Sequence, residues 1–165
     1  FTKHFDTGVN SLAYNLDSYG IGGYLRGYPT TANADIVGAN HTDGINRSRV
    51  LVRTNTTQST MWLNSSANMT YNSVPYLGLW MGQRSSSTKI EVIINGTVRL
   101  TKTVARTIGI DQNYLAHASS VGGGADIDLA MYNVIGFRMG TNQSLNFYNA
   151  VQTYQTNVIT GGRNV

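Results

Sequence analysis

Short runs of β-branched and aromatic residues recur along this chain, separated by clusters of Gly, Asn, Ser and Pro. Such runs favour strands and such clusters favour turns, so their spacing is typical of a β-sandwich or a β-barrel. We expect strands at residues 10–15, 19–26, 35–40, 49–54, 60–64, 76–83, 89–95, 98–103, 114–118 and 129–138. The sequence therefore predicts an all-β fold over about residues 10–138.

One tight hairpin can be placed directly. Apolar residues alternate through residues 89–94, and the pair Asn95-Gly96 follows. Asn-Gly supplies the two positive-φ residues that a type I′ turn needs. We expect the strand that follows, at residues 97–103, to pair with residues 89–94.

Near the end of the chain, the spacing of apolar residues changes from every second position to every third or fourth position. Residues three or four positions apart are apolar at Leu145, Tyr148, Val151, Tyr154 and Val158. Thr141 or Asn142 could cap the start, and the pair Gly161-Gly162 follows the end. This predicts one amphipathic C-terminal helix at about residues 142–158. It carries no Lys or Arg, so we expect it to dock on the sandwich rather than on a membrane surface.

Length and composition limit the classes of protein to consider. A chain of 165 residues fits a single domain, 1–165, and because it begins at Phe1 rather than Met we expect it to belong to a longer or processed protein. Only 12% of the residues are charged, which is typical of extracellular and virion β-proteins. The absence of Cys excludes disulfides, thiol nucleophiles and Cys-ligated metals.

Two kinds of partner are not expected. The formal charge is +4, but the basic residues are scattered and form no patch of the kind that nucleic-acid binding requires. No apolar run reaches the roughly 18 residues that span a bilayer. We therefore predict no nucleic-acid partner and no membrane insertion.

The supply of catalytic residues is poor. A glycosidase needs two carboxylates about 5 to 10 Å apart, and the chain has a single Glu, Glu91, which strand alternation places on a solvated outward face. His4, His41 and His117 lack zinc-site spacing, and no Gly-x-Ser-x-Gly segment occurs. We predict that the chain is not an enzyme.

Asp126 and Asp128 form the best carboxylate pair. Strand alternation would place both side chains on one face, beside the glycine run 122–124. Their oxygens could hold Ca²⁺ or bind sugar hydroxyls, or they could only keep a strand edge polar. Calcium at this pair is the one cofactor that we consider.

Aromatic residues can stack on sugar rings, and the chain has ten Tyr and two Trp. Trp62 and Trp80 lie within apolar strand runs, so we expect both to pack in the core. Tyr28 lies beside Pro29 on a loop and is a better contact candidate. We predict carbohydrate contacts at Tyr28, His41, Asp43, Arg84, Asp126 and Asp128.

Several segments carry a family pattern. Residues 19–26, YGIGGYLR, match a G-x-Y-x-R strand, and residues 79–85, LWMGQRS, match a segment of the form fyiGnRt. Residues 135–140, IGFRMG, precede FYNAVQTYQ at residues 147–155 and a Gly-Arg pair at 162–163. Over nearly the whole chain, this order resembles the concanavalin A-like, laminin-G-like jelly-roll modules of phage tail and other virion proteins.

This resemblance implies two packed antiparallel sheets that bind glycans or proteins on the concave face or the edge loops. We expect a non-catalytic recognition module of a phage or virion protein that binds host-surface carbohydrate and forms a homo-oligomer in the assembled particle. A structural module that packs against other virion subunits is the alternative, and a polysaccharide-degrading enzyme is a third reading. The glucanase relatives carry a Glu-x-Asp-x-Glu strand, which a chain with one Glu cannot have. The expected location is the virion or the extracellular space.

Overall fold

The computed structural model describes residues 5–30, 32–55, 57–72, 77–116 and 129–157. These residues form the strands β1 (Phe5–Asp6), β2 (Tyr19–Leu25), β3 (Ala34–Asn40), β4 (Arg47–Arg53), β5 (Gln58–Ser65), β6 (Met69–Asn72), β7 (Gly78–Ser86), β8 (Lys89–Ile94), β9 (Thr97–Thr103), β10 (Leu115–Ala116) and β11 (Leu129–Ile135). A 3₁₀ helix (Ser11–Ala13) precedes β2, and α1 (Thr141–Asn157) follows β11.

The strands form two antiparallel sheets. Sheet A has the order β1-β10-β3-β4-β5-β6, and sheet B has the order β11-β2-β7-β8-β9. This confirms the predicted all-β antiparallel sandwich with one C-terminal α-helix. Within the described residues, no helix is long and apolar enough to cross a membrane.

The core lies between the two sheets. Val50 of sheet A belongs to the same fully buried cluster as Ile21 and Trp80 of sheet B. Burial of each such side chain stabilises the fold by about 1.5–3 kcal/mol. The hydroxyls of Tyr19 and Ser48 lie 2.8 Å apart inside this core, so that each has a hydrogen-bond partner.

The helix α1 packs on the outer face of sheet B and forms a third layer. Val151 contacts Tyr24 of β2 and Leu79 of β7, and Phe147 packs against the cluster that contains Met81 of β7. The expectation that this helix docks on the sandwich is therefore confirmed. One face of sheet B is covered by the core and the other by the helix.

The start of α1 differs from the prediction. The backbone N–H of Ser144 donates to the carbonyl of Gly140 at 2.9 Å, which makes Gly140 the N-cap rather than Thr141 or Asn142. The Gln143 side chain accepts a hydrogen bond from the Gly140 N–H at 2.9 Å. This is the returning half of a capping box, and it satisfies an N–H that the helix would otherwise leave unpaired.

The hairpin prediction is confirmed, since Asn95 and Gly96 have φ values of 50° and 75° between β8 and β9. The strand predicted at residues 10–15 is wrong. Those residues include the 3₁₀ helix, because the Asn10 side chain accepts a hydrogen bond from Leu12 N–H at 3.0 Å and closes a local turn. The short strands β1 and β6 were not predicted.

Candidate functional site

The candidate site lies on the side of sheet A that faces away from the core. Val50 and Val52 of β4 lie in the core, so strand alternation places Arg47, Arg49 and Arg53 on the opposite side. We call this side the outer face of sheet A. The corresponding side of sheet B carries α1, so the two sheets present different surfaces.

Strand register continues this surface across the sheet. The register pairs Asp6 with Leu115, Leu115 with Gly38, Gly38 with Arg49 and Arg49 with Trp62. Directly opposed residues point to the same side of a sheet. They therefore form a row across β1, β10, β3, β4 and β5 that is about 19 Å wide, which we call the Asp6–Trp62 row.

Trp62 lies at one end of this row, half-buried, with arginines beside it. The guanidinium carbons of Arg47 and Arg49 are 5.6 Å and 5.8 Å from the centre of its ring. Both distances are within the range of cation–π attraction. The prediction that Trp80 packs in the core is confirmed, whereas Trp62 points to the outer face, and the prediction for it is wrong.

Below Trp62, Arg49 forms a buried ion pair with Asp35. Asp35 is 2% exposed, and this burial raises the pKa of its carboxyl to about 7 in spite of the arginine. Gly38 makes room for the arginine, because a Cβ atom there would lie 2.5 Å from Arg49 Cγ. The pair holds Arg49 in place against Trp62.

A polar cleft lies at the other end of the row. It has a volume of about 300 Å³ and is lined by Asp6, Ala39, Asn40, Gln112, Asn113 and Leu115. One carboxylate and three amide side chains therefore meet there, and all four are exposed. Asp6 Oδ1 accepts a hydrogen bond from Gly8 N–H at 2.8 Å and Oδ2 accepts one from Asn113 Nδ2 at 3.4 Å. Because a carboxylate has about four acceptor sites, Asp6 keeps hydrogen-bonding capacity for a ligand.

The β3–β4 hairpin loop next to this cleft is cross-linked by polar side chains. His41 Nδ1 is 3.2 Å from Asp43 Oδ2, and His41 Nε2 is 3.8 Å from Asp111 Oδ2. Thr42 donates from its N–H and its hydroxyl to the two oxygens of Asp111, at 3.2 and 2.9 Å. The structure thus brings His41 and Asp43 together, as candidate contacts, beside a third residue that was not predicted.

Asp43 also fixes the shape of the loop. Its Oδ1 accepts hydrogen bonds from the backbone N–H groups of Asn46 at 2.9 Å and Ile45 at 2.8 Å. These bonds, led by that from Asn46, hold the pKa of Asp43 at about 2. These bonds fix the loop backbone around Asp43, and Ile45 beside it is 63% exposed.

Tyr28 lies away from this loop. Its side chain is 59% exposed, but the neighbouring Pro29 carbonyl accepts a hydrogen bond from Arg53 Nη1 at 2.6 Å, at the far end of β4. The length of β3 puts about 20 Å between that end and the hairpin loop. Tyr28 and His41 therefore do not share one compact site.

Arg84 is a structural residue, and its prediction as a ligand contact is wrong. Its side chain is fully buried, and its guanidinium donates to the carbonyls of Leu63 at 2.6 and 2.9 Å and Val104 at 3.0 Å. It also donates to the carbonyls of Ser86 and Ser87 at 3.2 Å. These bonds join β5, β7 and the segment after β9.

Glu91 is not on a solvated face, contrary to the prediction. It is 3% exposed, accepts a hydrogen bond from Gln83 at 2.6 Å, and lies 3.2 Å from Lys89 and 3.5 Å from Arg138. Gln83 also bonds the carbonyl and the N–H of Met139, just before α1. Glu91 therefore belongs to the contacts that join sheet B to the start of the helix.

Asp126, Asp128 and His117 lie outside the described residues, so their predicted roles stay predictions. Among the residues that the structure describes, no three His, Asp or Glu side chains come close enough together to hold a metal ion. Calcium therefore has support only from the sequence pattern.

Much of the site could not be found by reading the sequence. Asp6 and Asn113 are 107 positions apart and meet only through the pairing of two-residue strands. A usable signal does exist for Trp62, because Arg47, Arg49 and Arg53 all lie on one side of β4, whereas Val50 and Val52 lie on the other. Trp62 pairs with Arg49 on the next strand, so its side chain lies on the arginine side.

The fold and this surface define a β-sandwich in which a helix covers one sheet and a row of polar and aromatic side chains crosses the other. No protein-family model matches this sequence, and no curated protein is similar to it in sequence. The chain is similar in structure to the binding domain of botulinum neurotoxin serotype G, with a TM-score of 0.63 and 12% identity over 93% of this chain and 40% of that one.

Two further solved structures are similar. One is the binding domain of botulinum neurotoxin DC in complex with rat synaptotagmin II, with a TM-score of 0.60, 11% identity, and coverage of 86% of this chain and 37% of that one. The other is of botulinum neurotoxin type C, whose cell entry depends on two ganglioside molecules, with a TM-score of 0.60, 11% identity, and coverage of 88% and 38%. The chain spans about two fifths of these structures, and the likeness is one of fold.

Proposed function

We propose that this chain is a non-catalytic recognition module that binds carbohydrate with the outer face of sheet A. The observation that carries the proposal is the Asp6–Trp62 row, which joins a half-buried tryptophan to a cleft of exposed amides and a carboxylate. Aromatic faces pack on the apolar side of a sugar ring, and planar polar side chains bond its hydroxyls. The row is long enough for an extended oligosaccharide.

The rigid hairpin loop supports the same function. Thr42 and Asp43 are already held by Asp111 and by the loop backbone, so binding next to them requires little further ordering. A lower entropic cost of ordering leaves more of the contact energy as affinity. His41 and Asp43 would then form one rim of the cleft.

The setting that we propose is a phage or other virion particle, with host-surface carbohydrate as the ligand and a location on the virion or outside the cell. The laminin-G-like sequence pattern supports this setting. Weak single sites gain avidity when several are linked, so we infer a homo-oligomer in the assembled particle. The ganglioside dependence of the type C neurotoxin is a precedent for glycan binding by a protein with a similar fold.

The absence of catalysis is part of the proposal. The single Glu of the chain, Glu91, is buried in contacts with Gln83, Lys89 and Arg138, where it cannot reach a substrate on the outer face of sheet A. An assay for new reducing ends, run on each polysaccharide that the protein binds, should stay blank.

A glycan array tests the proposal with the full chain. The double variant Gln112→Ala, Asn113→Ala removes two amides of the cleft, and Thr101→Ala on β9 is an exposed control on the other sheet. We expect the wild type and Thr101→Ala to bind the same glycans and the double variant to lose most of its signal. A blank array, together with blank titrations up to millimolar glycan, would contradict the proposal.

A second function, packing against other virion subunits, is favoured by a different surface. Leu12, Ile45 and Ile108 are all exposed at the end of the sandwich that carries the hairpin loop. They lie near one another, because Thr107 bonds Asn46 and a Cβ atom on Gly109 would lie 2.4 Å from Leu12 Cδ2. Exposed apolar patches commonly mark protein interfaces.

Sedimentation velocity separates this second function from the first. If the apolar end packs against other copies, the wild type should associate with rising concentration and the double variant Ile45→Ser, Ile108→Ser should not. Neither change should affect glycan binding by the outer face of sheet A. A monomer at all concentrations would remove self-packing as a role for this end.

A further inference from the structure

We propose that the saccharide bound by the outer face of sheet A is acidic, and that Arg47, stacked on Trp62, contacts its carboxylate or sulfate group. This inference rests on the proposed carbohydrate-binding function and adds the chemical class of the ligand. The class follows from a half-buried arginine that forms no ion pair with any described residue, although its charge does act on Asp35.

Arg47 differs from the arginines around it. Arg49 pairs with Asp35, and Arg53 donates to the Pro29 carbonyl. In the described part of the chain, the Arg47 guanidinium makes no hydrogen bond and no ion pair, its Nε is buried without a partner, and its Cζ lies 5.6 Å from the centre of the Trp62 ring. A guanidinium offers five donors in a planar fork that matches a carboxylate or a sulfate.

The charges around Arg47 leave the surface positive. Arg47, Arg49 and Arg53 all lie on this side of β4, and among the described residues Asp35 is the acid that faces them. Burial raises the pKa of Asp35 to about 7, so at neutral pH its carboxyl carries only part of a negative charge. The Trp62 end of the row therefore favours an anion, while the Asp6 end does not.

That asymmetry favours a saccharide over a nucleic acid. A nucleic acid needs cations along its whole length, because each nucleotide carries a phosphate. Here the row ends in Asp6, whose carboxylate would repel a phosphate, and in the amides of Asn40, Gln112 and Asn113, which suit hydroxyls but supply no positive charge. An oligosaccharide with one acidic group at Arg47, beside Trp62, and hydroxyls in the cleft fits both ends.

Calorimetric titration of the full chain with matched probes tests the inference. The probes are a hexamer of galacturonic acid with its neutral methyl ester, a sulfated galactan oligosaccharide with its neutral desulfated form, and a DNA oligonucleotide of equal charge. We expect at least one acidic saccharide to bind about tenfold more tightly than its neutral partner, as loss of a charged hydrogen bond predicts. This preference should shrink as salt rises from about 50 to about 500 mM.

Arg47→Met keeps an unbranched apolar stem and removes the guanidinium, and Arg99→Met on β9 is the control at an exposed arginine of the other sheet. We expect Arg47→Met to lose the tenfold preference while keeping its affinity for the neutral partner, and Arg99→Met to keep both. Thermal unfolding of each variant shows whether a loss of binding comes from misfolding. Arg47→Lys keeps the positive charge and should restore part of the preference for the acidic saccharide.

The possible results separate the two claims. Equal binding of acidic and neutral partners overturns the inference and leaves carbohydrate binding in place. An acidic preference that survives Arg47→Met also overturns it, as does DNA that binds as tightly as the acidic saccharide. No binding of any saccharide, on these probes and on the array, overturns the proposed function as well.

Discussion

At the scale of single residues, arginine has two opposite roles in this sandwich. Arg84 is fully buried and bonds the carbonyls of Leu63 and Val104, whereas Arg47 is half-buried over Trp62 with no ion pair among the described residues. In the sequence both are arginines within strand runs. Strand alternation indicates which side each occupies, but only the packing of the second sheet decides which side is buried.

The role of Arg84 predicts a large loss of stability when the guanidinium is removed. Arg84→Met should lower the free energy of unfolding by about 3 kcal/mol or more, because several buried carbonyls lose their donor together. Arg99→Met, which changes an exposed arginine on β9, should stay within about 0.5 kcal/mol of the wild type. Urea denaturation of the three proteins measures this, and equal stability of both variants would contradict the structural role.

The buried carboxyl of Asp35 predicts how stability depends on pH. Its pKa is about 7 in the folded protein and near 3.8 when unfolded, so the folded state holds the proton more tightly. This residue therefore contributes stability that is fully present below about pH 4 and is lost as the pH rises through about 7. The difference in unfolding free energy between the wild type and Asp35→Asn should fall across that window, in urea denaturation at several pH values. A difference that does not change with pH would contradict the pKa of Asp35.

At the scale of elements, local patterns predicted most strands, the Asn95-Gly96 hairpin and the helix, because each depends on neighbours in sequence. The errors have local causes too, since Asn10 closes a turn where a strand was expected and Gly140 caps the helix in place of Thr141. The candidate site depends on register between distant strands, and periodicity carries no information about which strands pair. His41 and Asp43 lie close together because a single loop contains both, and their contact with a ligand stays a prediction.

The contact between the hairpin turn and the helix predicts different costs for two glycine substitutions. Gly96 and Gly44 have similar φ values of 75° and 70°, so a left-handed alanine should cost about 1–2 kcal/mol at either position. A Cβ atom on Gly96 would also lie 2.9 Å from Leu145 Cα, whereas nothing lies within 4 Å of one on Gly44. Gly96→Ala should therefore destabilise the protein more and speed hydrogen exchange in α1. An equal loss of unfolding free energy in the two variants would contradict a close contact between α1 and this turn.

At the scale of the whole molecule, the three layers give the two sheets different roles. Sheet B is covered on both sides, by the core and by α1, whereas no described helix covers the outer face of sheet A. The sequence predicted a sandwich, a docked helix and a shortage of catalytic residues. It could not predict which sheet the helix would cover, because that choice depends on the fit of Val151 and Phe147 against β2 and β7.

The most direct test of carbohydrate binding on this face is a fluorescence titration with the glycan selected on the array. The chain has two tryptophans, so Trp80→Phe leaves Trp62 as the only reporter and Trp62→Phe leaves the core residue Trp80. We predict a saturable change in the Trp62 signal, little change in the Trp80 signal, and weaker binding by Trp62→Phe. Unchanged affinity in Trp62→Phe together with a silent Trp62 signal would contradict the account, because the glycan would then bind elsewhere.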